Sequence, residues 1–151
     1  MLAPSSVWVL RRCGSGVAVP SWILVNTYLR ALGSGDSALA ISLFTSDGSV
    51  HSPLYGEMAA SGFYPTLFAD TAQSTLRLRK TLHSAEEDDR TIAFWFDFDW
   101  TLADGVPAPF TVLDVAELND DGLITELHIV YNTHPIRASW EKQRKNTGNL
   151  A

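Results

Sequence analysis

A single cysteine, Cys13, occurs among the 151 residues, which excludes an internal disulfide framework and fits a reducing compartment. No apolar run approaches the roughly 18 residues of a membrane span. The opening MLAPSSVWVLRRCGSGVAVPS is partly apolar, but Arg11 and Arg12 break it where a signal peptide needs a continuous apolar centre. Residues 1–20 therefore read as a poorly ordered arm, and the protein is expected to be cytoplasmic with no membrane partner. Positive charge is scarce too: 11 Lys and Arg against 17 Asp and Glu give a net charge of -6 and a pI near 5.0. A nucleic-acid binder needs a basic stripe, so nucleic acid is not an expected partner.

Cofactor signatures are missing in the same way. The GSG runs at Gly14–Gly16 and Gly33–Gly35 follow no strand and open no dinucleotide-binding unit. The histidines His51, His83, His128 and His134 are scattered, with no pair at ligand spacing on one element and no cysteine cluster beside them. Neither a metal nor another cofactor is expected. By alternation His51 and His128 point away from Ser52 and Ile129, toward the sheet surface or an interface.

What the chain does have is TIAFWFDFDWT, Thr91–Thr101. At a strand's period of two, Phe94, Phe96, Phe98 and Trp100 share one face, while Ala93, Trp95, Asp97 and Asp99 share the other. One face demands an apolar partner; the other demands water, a hydrogen-bond partner or a ligand. The rest of the composition, 46% hydrophobic and 19% charged, suits one globular domain with a real core.

Around that strand the pattern is helical first and extended afterwards. Trp22, Val25, Tyr28, Leu29 and Leu32 form an apolar stripe at helical spacing, closed by Gly33–Gly35. Asp36 is an N-cap for a second helix over Ser37–Phe44, and Asp47-Gly48 reads as a turn before a short strand, Ser49–Leu54. A third helix is expected over Phe63–Thr71. Strands follow at Thr75–Ser84, Thr91–Thr101, Phe110–Leu118 and Leu123–Asn132, and the polar Arg137–Ala151 reads as a tail or short fraying helix. Helices followed by a four-strand meander mean an α+β domain with helices packed on one face of a curved antiparallel sheet.

The pieces YLRALGSGD (Tyr28–Asp36), LFTSDGSVHSPLYG (Leu43–Gly56) and DVAELNDDGLITELHIVYN (Asp114–Asn132), with the central strand between, fall in an order that resembles the SnoaL-like family. That family sits in the nuclear-transport-factor-2-like superfamily, beside ketosteroid isomerase and limonene epoxide hydrolase. The resemblance covers about residues 22–135 and implies a cone-shaped curved sheet wrapped around N-terminal helices with an internal pocket. The domain is accordingly bounded at 21–137, with a polar tail over 138–151.

Carried over residue by residue, the resemblance is partial. Tyr28 matches the tyrosine that donates to the substrate oxyanion in ketosteroid isomerases. Ser52 stands where those enzymes have their aspartate base, and Thr111 where they have a second, acidic oxyanion donor. Against the epoxide hydrolases, Asp97 matches the first aspartate, Trp95 replaces the arginine and Ile129 replaces the second aspartate. These alignments turn Trp95, Asp97, Asp99, Thr111, Leu113, Leu127, Ile129 and Tyr131 toward the pocket, with Val50 and Ser52. Asp114 falls on the opposite face with a structural role. The Phe94, Phe96, Phe98 and Trp100 face would then be external and would need a homodimer to cover it.

Two functions follow. One is a cofactor-independent enzyme acting on a small, largely apolar organic molecule by isomerisation, cyclisation, dehydration or hydrolysis. In it Asp97 shuttles a proton, with Asp99 coupled to it, and Tyr28 stabilises negative charge on a substrate oxygen. The other is a ligand-binding or dimerisation module of the same fold without catalysis. The two separate on Asp97: burial in an apolar cavity raises its pKa, whereas an arginine such as Arg77 or Arg79 would close it off.

Overall fold

The computed structural model describes residues 19–148, so the expected N-terminal arm lies outside the described residues except for Val19 and Pro20. Helix α1 (Ser21–Ser34) buries Leu24, Val25, Tyr28, Ala31 and Leu32, the apolar stripe of the sequence. It ends where Gly35 adopts the left-handed conformation at φ 66°, which a residue with a side chain rarely takes. Asp36 accepts a hydrogen bond from the Leu39 amide at 2.9 Å and so caps the short helix α2 (Ser37–Ser42).

Strands β1 (Phe44–Ser52) and β2 (Gly56–Ala59) follow, then α3 (Ala60–Ala69). Asp47-Gly48 is not a turn. The chain stays extended through it, with an irregularity in register between Phe44 and Ser49, and Gly48 is there because a side chain would meet Phe44 at 3.0 Å. Strands β3 (Thr71–His83), β4 (Ile92–Leu102), β5 (Phe110–Leu118) and β6 (Ile124–Val130) form the antiparallel meander. β1 then pairs parallel with β6, giving one six-stranded curved sheet in the order β2-β1-β6-β5-β4-β3.

The concave face of this sheet holds the aromatic residues of β4. Phe94, Phe96, Phe98 and Trp100 are at most 5% exposed, packed beneath α1 and α3 in the one core cluster. Burying each such ring contributes on the order of 2–3 kcal/mol. This corrects the expectation of an external aromatic face needing a second subunit: the domain's own helices cover it. The physical error is a slip of one residue, which on a strand exchanges the two faces entirely.

The last element, α4 (His134–Gly148), is the helical alternative of the two expected for this segment, but longer and packed. It buries Ile136, Trp140 and Gln143. Gln143 ties it to the sheet, accepting from the Asp104 amide at 3.1 Å and donating to the Asp70 carbonyl at 3.2 Å. Among the described residues no helix is long and apolar enough to cross a membrane.

Candidate functional site

Between helices and sheet lies a small, mostly aromatic cavity. α1 contributes Tyr28 and Leu32, and α3 contributes Phe63 and Leu67. The sheet supplies Ser52, Phe96, Phe98, Trp100, Phe110, Val112, Asp114 and Ile129, with Tyr55 and Tyr131 from connecting segments. About 40 Å³ of it is free, room for a few waters. A larger occupant must displace side chains, and the half-buried Tyr55, Phe110, Ile129 and Tyr131 are the ones with space to move.

Asp114 is the single carboxylic acid among the described lining residues. It is 1% exposed, opposite Phe94 on β4 and Ile129 on β6, in the middle of the inner face. Its Oδ1 is buried without a hydrogen-bond partner. Burial pushes its pKa up to about 8, with the Tyr28 hydroxyl beside it pulling the other way. The group is therefore largely neutral at pH 7 and carries a proton it can donate.

Two tyrosines lie under it. Tyr64 of α3 donates its hydroxyl to that of Tyr28 at 3.2 Å, and both rings are fully buried. Desolvation, with the Asp114 charge adding to it, holds both phenols well above the usual tyrosine range, so both stay protonated. Tyr28 is fixed by edge-to-face contacts with Tyr64 at 6.1 Å and Phe94 at 5.3 Å. At the other end Tyr131 stacks on Phe110 at 4.2 Å, and desolvation raises its pKa as well. Ser52 is buried but engaged: its Oγ accepts from the amides of Leu54 and Tyr55 at 3.3 and 3.2 Å, closing the turn after β1.

Of the residues expected at the site, the cavity thus receives Tyr28, Ser52, Ile129 and Tyr131. Leu127 is fully buried in the core without lining it. Trp95, Asp97, Asp99, Thr111 and Leu113 sit on the outer face of the sheet, because β4 and β5 both present the opposite set of side chains from the one expected. Asp97 there is held by Arg77 Nη2 at 2.5 Å, Arg79 Nε at 2.8 Å and the Thr111 hydroxyl at 3.0 Å. Those arginines hold its carboxyl down at about 2, the reverse of what a proton shuttle needs. Asp99 is exposed beside it in a shallow surface groove. Arg79 also lies 5.0 Å over the Trp95 ring.

Asp114 is the residue that reasoning from sequence missed. Its signal was local: Val112, Asp114 and Ala116 alternate on one face, an acid in an otherwise apolar row. The acid on this strand that faces the cavity is Asp114, three residues beyond Thr111. The structure also brings together His51, Glu126 and His128, which no spacing on one element revealed, because they come from two strands.

Comparison with known proteins agrees with the architecture. Residues 25–127 match a SnoaL-like domain. No curated protein matches the chain in sequence. Solved structures do: an NTF2-like protein of unknown function from Exiguobacterium sp. 255-15 is 20% identical, with a TM-score of 0.61 over 72% of this chain and 98% of that one. TerC, co-crystallised with polyporic acid, is 14% identical with a TM-score of 0.66 over 82% and 99% of the two chains. SalBIII, an epoxide hydrolase/cyclase-like enzyme of pyran ring formation in salinomycin, is 17% identical with a TM-score of 0.62 over 76% and 92%.

Proposed function

The chain belongs to the SnoaL-like family, and from that premise we propose a cofactor-independent enzyme that acts as a general acid on a small apolar, oxygen-bearing molecule in the cone cavity. One observation carries the reading: a buried carboxylic acid, Asp114, with one unpartnered oxygen, on the wall of an aromatic cavity and beside a tyrosine pair. Buried polar atoms are normally satisfied, and an exception at a cavity surface is a place for a ligand atom.

In this reading the substrate's apolar body lies against Phe96, Phe98, Trp100 and Phe110, displacing Tyr55 or Tyr131 at the rim. Its carbonyl, hydroxyl or epoxide oxygen meets Tyr28 and Asp114. Tyr28, already accepting from Tyr64, donates to that oxygen and stabilises charge developing on it. Asp114 supplies the proton, because its pKa lies close to the working pH. Such chemistry serves cyclisation, dehydration or epoxide opening, and of two proteins with similar folds SalBIII has a role in pyran ring formation and TerC was co-crystallised with polyporic acid.

A non-catalytic binder is favoured by a different observation. Among the described residues the lining holds no second carboxylate and no histidine to serve as base, and the Ser52 oxygen accepts from two amides of its turn.

The test is carbon-detected NMR titration of the Asp114 carboxyl, assigned with Asp114→Asn and repeated with saturating 2-naphthol as an aromatic hydroxyl probe. A midpoint near 8 that moves when naphthol binds supports the site. A midpoint near 4, or one indifferent to bound naphthol, overturns it. Turnover of epoxy- and hydroxy-ketones lost in Asp114→Asn, with naphthol binding retained, distinguishes the enzyme from the binder.

A further inference from the structure

On the opposite face of the sheet from the cavity, and independent of any function assigned to it, three ligating side chains converge. β1 and β6 run parallel with His51 directly beside His128, and Glu126 stands two residues before His128 on the same face. The two imidazoles stack 4.3 Å apart and 11° from parallel. Their Nε2 atoms address one carboxylate oxygen, Glu126 Oε1, from 2.7 Å for His51 and 3.7 Å for His128. All three ligand atoms lie within 4.8 Å of one another.

We propose that His51, His128 and Glu126 form a binding site for a divalent transition-metal ion, with zinc as its reference occupant. Zinc bonds to imidazole nitrogen and carboxylate oxygen of about 2.0–2.2 Å set neighbouring ligands roughly 3.3 Å apart in a tetrahedron. The separations from Glu126 Oε1, 2.7 and 3.7 Å, bracket that value, and with all three ligand atoms within 4.8 Å of one another the site closes by rotation of the side chains. The ligand set selects the metal class, since two imidazoles suit zinc, copper, nickel or cobalt, whereas calcium and magnesium require oxygen shells.

Two further features fit. Glu57 on β2 places Oε2 3.9 Å from His51 Nδ1, on the ring nitrogen that would not bind the metal. A carboxylate there favours the tautomer with Nδ1 protonated and the Nε2 lone pair free, as the partners of metal-bound histidines do. The site is also anchored rather than assembled from loops: the ligands lie on two adjacent hydrogen-bonded strands and are half-buried. Three protein ligands leave at least one coordination position for water or another donor. Metal ligands bind in their deprotonated forms, so uptake weakens as pH falls.

The experiment is calorimetric titration of the full chain, stripped with a chelator, with zinc chloride, alongside the absorption spectrum of the cobalt form. One zinc per chain is expected, with affinity reduced at least tenfold in His51→Gln and in His128→Gln, and a cobalt spectrum lacking a thiolate band. The thermal midpoint should rise with zinc in the wild type and not in either variant. Absence of saturable binding, binding unchanged by both substitutions, or a thiolate band assigning the ion to Cys13 would overturn the proposal. Both side chains are partly exposed, so the variants are expected to fold; if His51→Gln does not, His128→Gln decides alone.

Discussion

Tyr64 donates its hydroxyl hydrogen to Tyr28 at 3.2 Å, and this fixes where the proton of Tyr28 can go. With its oxygen already accepting, Tyr28 has its own hydrogen available for the Asp114 side or for a ligand oxygen. The pair is thus ordered, Tyr64 supporting and Tyr28 contacting. Tyr28→Phe should weaken 2-naphthol binding about tenfold, the value of one lost hydrogen bond near 1.4 kcal/mol. Tyr64→Phe should cost less, roughly two- to fivefold, since it only removes polarisation of the neighbour. Fluorescence titration of both variants checks the order, and equal losses would show that neither hydroxyl ranks above the other.

Asp114 gives stability a particular dependence on pH. The folded protein holds this proton up to about pH 8, whereas an unfolded aspartic acid releases it near 3.9. Between those limits the folded state binds more protons, so stability falls as pH rises, by at most about 1.4 kcal/mol per pH unit, and levels off above about 8. Asp114→Asn lacks that slope. Urea unfolding from pH 4 to 9 should therefore show the variant gaining on the wild type up to about pH 8 and holding that gain above it. Parallel curves would mean the carboxyl ionises in place without penalty.

Asp97 has the opposite sign and no part in the cavity. Its folded pKa of about 2 lies below the unfolded value, so its contribution is complete above about pH 4 and is lost as pH falls toward 2. Asp97→Asn should leave 2-naphthol affinity within about twofold of wild type, because the side chain points to the outer face and shares no partner with the ligand. Because the ion pairs face solvent, the difference in stability between Asp97→Asn and wild type should shrink in high salt. A large loss of naphthol binding in Asp97→Asn would return this residue to the site.

These sign differences show what the sequence could and could not disclose. Helices α1 to α3, the meander and the family likeness were legible because periodicity, the Asp36 cap and the Gly35 stop are local properties. The facing of β1 and β6 was legible too, and Val50, Ser52 and Ile129 do point inward. The facing of β4 and β5 is not legible from the residue matches to ketosteroid isomerases and epoxide hydrolases, because one residue of slip in such a match exchanges the faces. Hydrophobicity alone would have chosen correctly: four aromatic rings on one side outweigh two carboxylates on the other. Likewise β2 and the parallel β1–β6 pairing depend on contacts across the chain, so the juxtaposition of His51 with His128 left no trace in either segment.

The polar composition of Arg137–Ala151 suggests a tail or a short fraying helix, yet two side chains of α4, Trp140 and Arg144, join it to the cavity wall. Trp140 meets Tyr55 edge-on at 5.2 Å, and Arg144 lies 5.1 Å over Trp140 and 5.6 Å over Tyr55. Arg144 Nη1 reaches Asp70 Oδ2 at 2.9 Å, the same oxygen that accepts the Tyr55 hydroxyl at 2.6 Å. Tyr55 is thus held from outside by α4 while its ring lines the cavity. Trp140→Ala should cost about 3 kcal/mol, toward the lower end for a buried tryptophan because the ring lies at the edge of the core. Arg144→Ala should cost under about 1 kcal/mol, since that guanidinium is partly solvated. If α4 controls the rim through Tyr55, Trp140→Ala should also speed naphthol association in stopped-flow, whereas Arg144→Ala changes it little. A Trp140→Ala protein that melts with the wild type and binds naphthol at the same rate would make α4 a dispensable appendage after all.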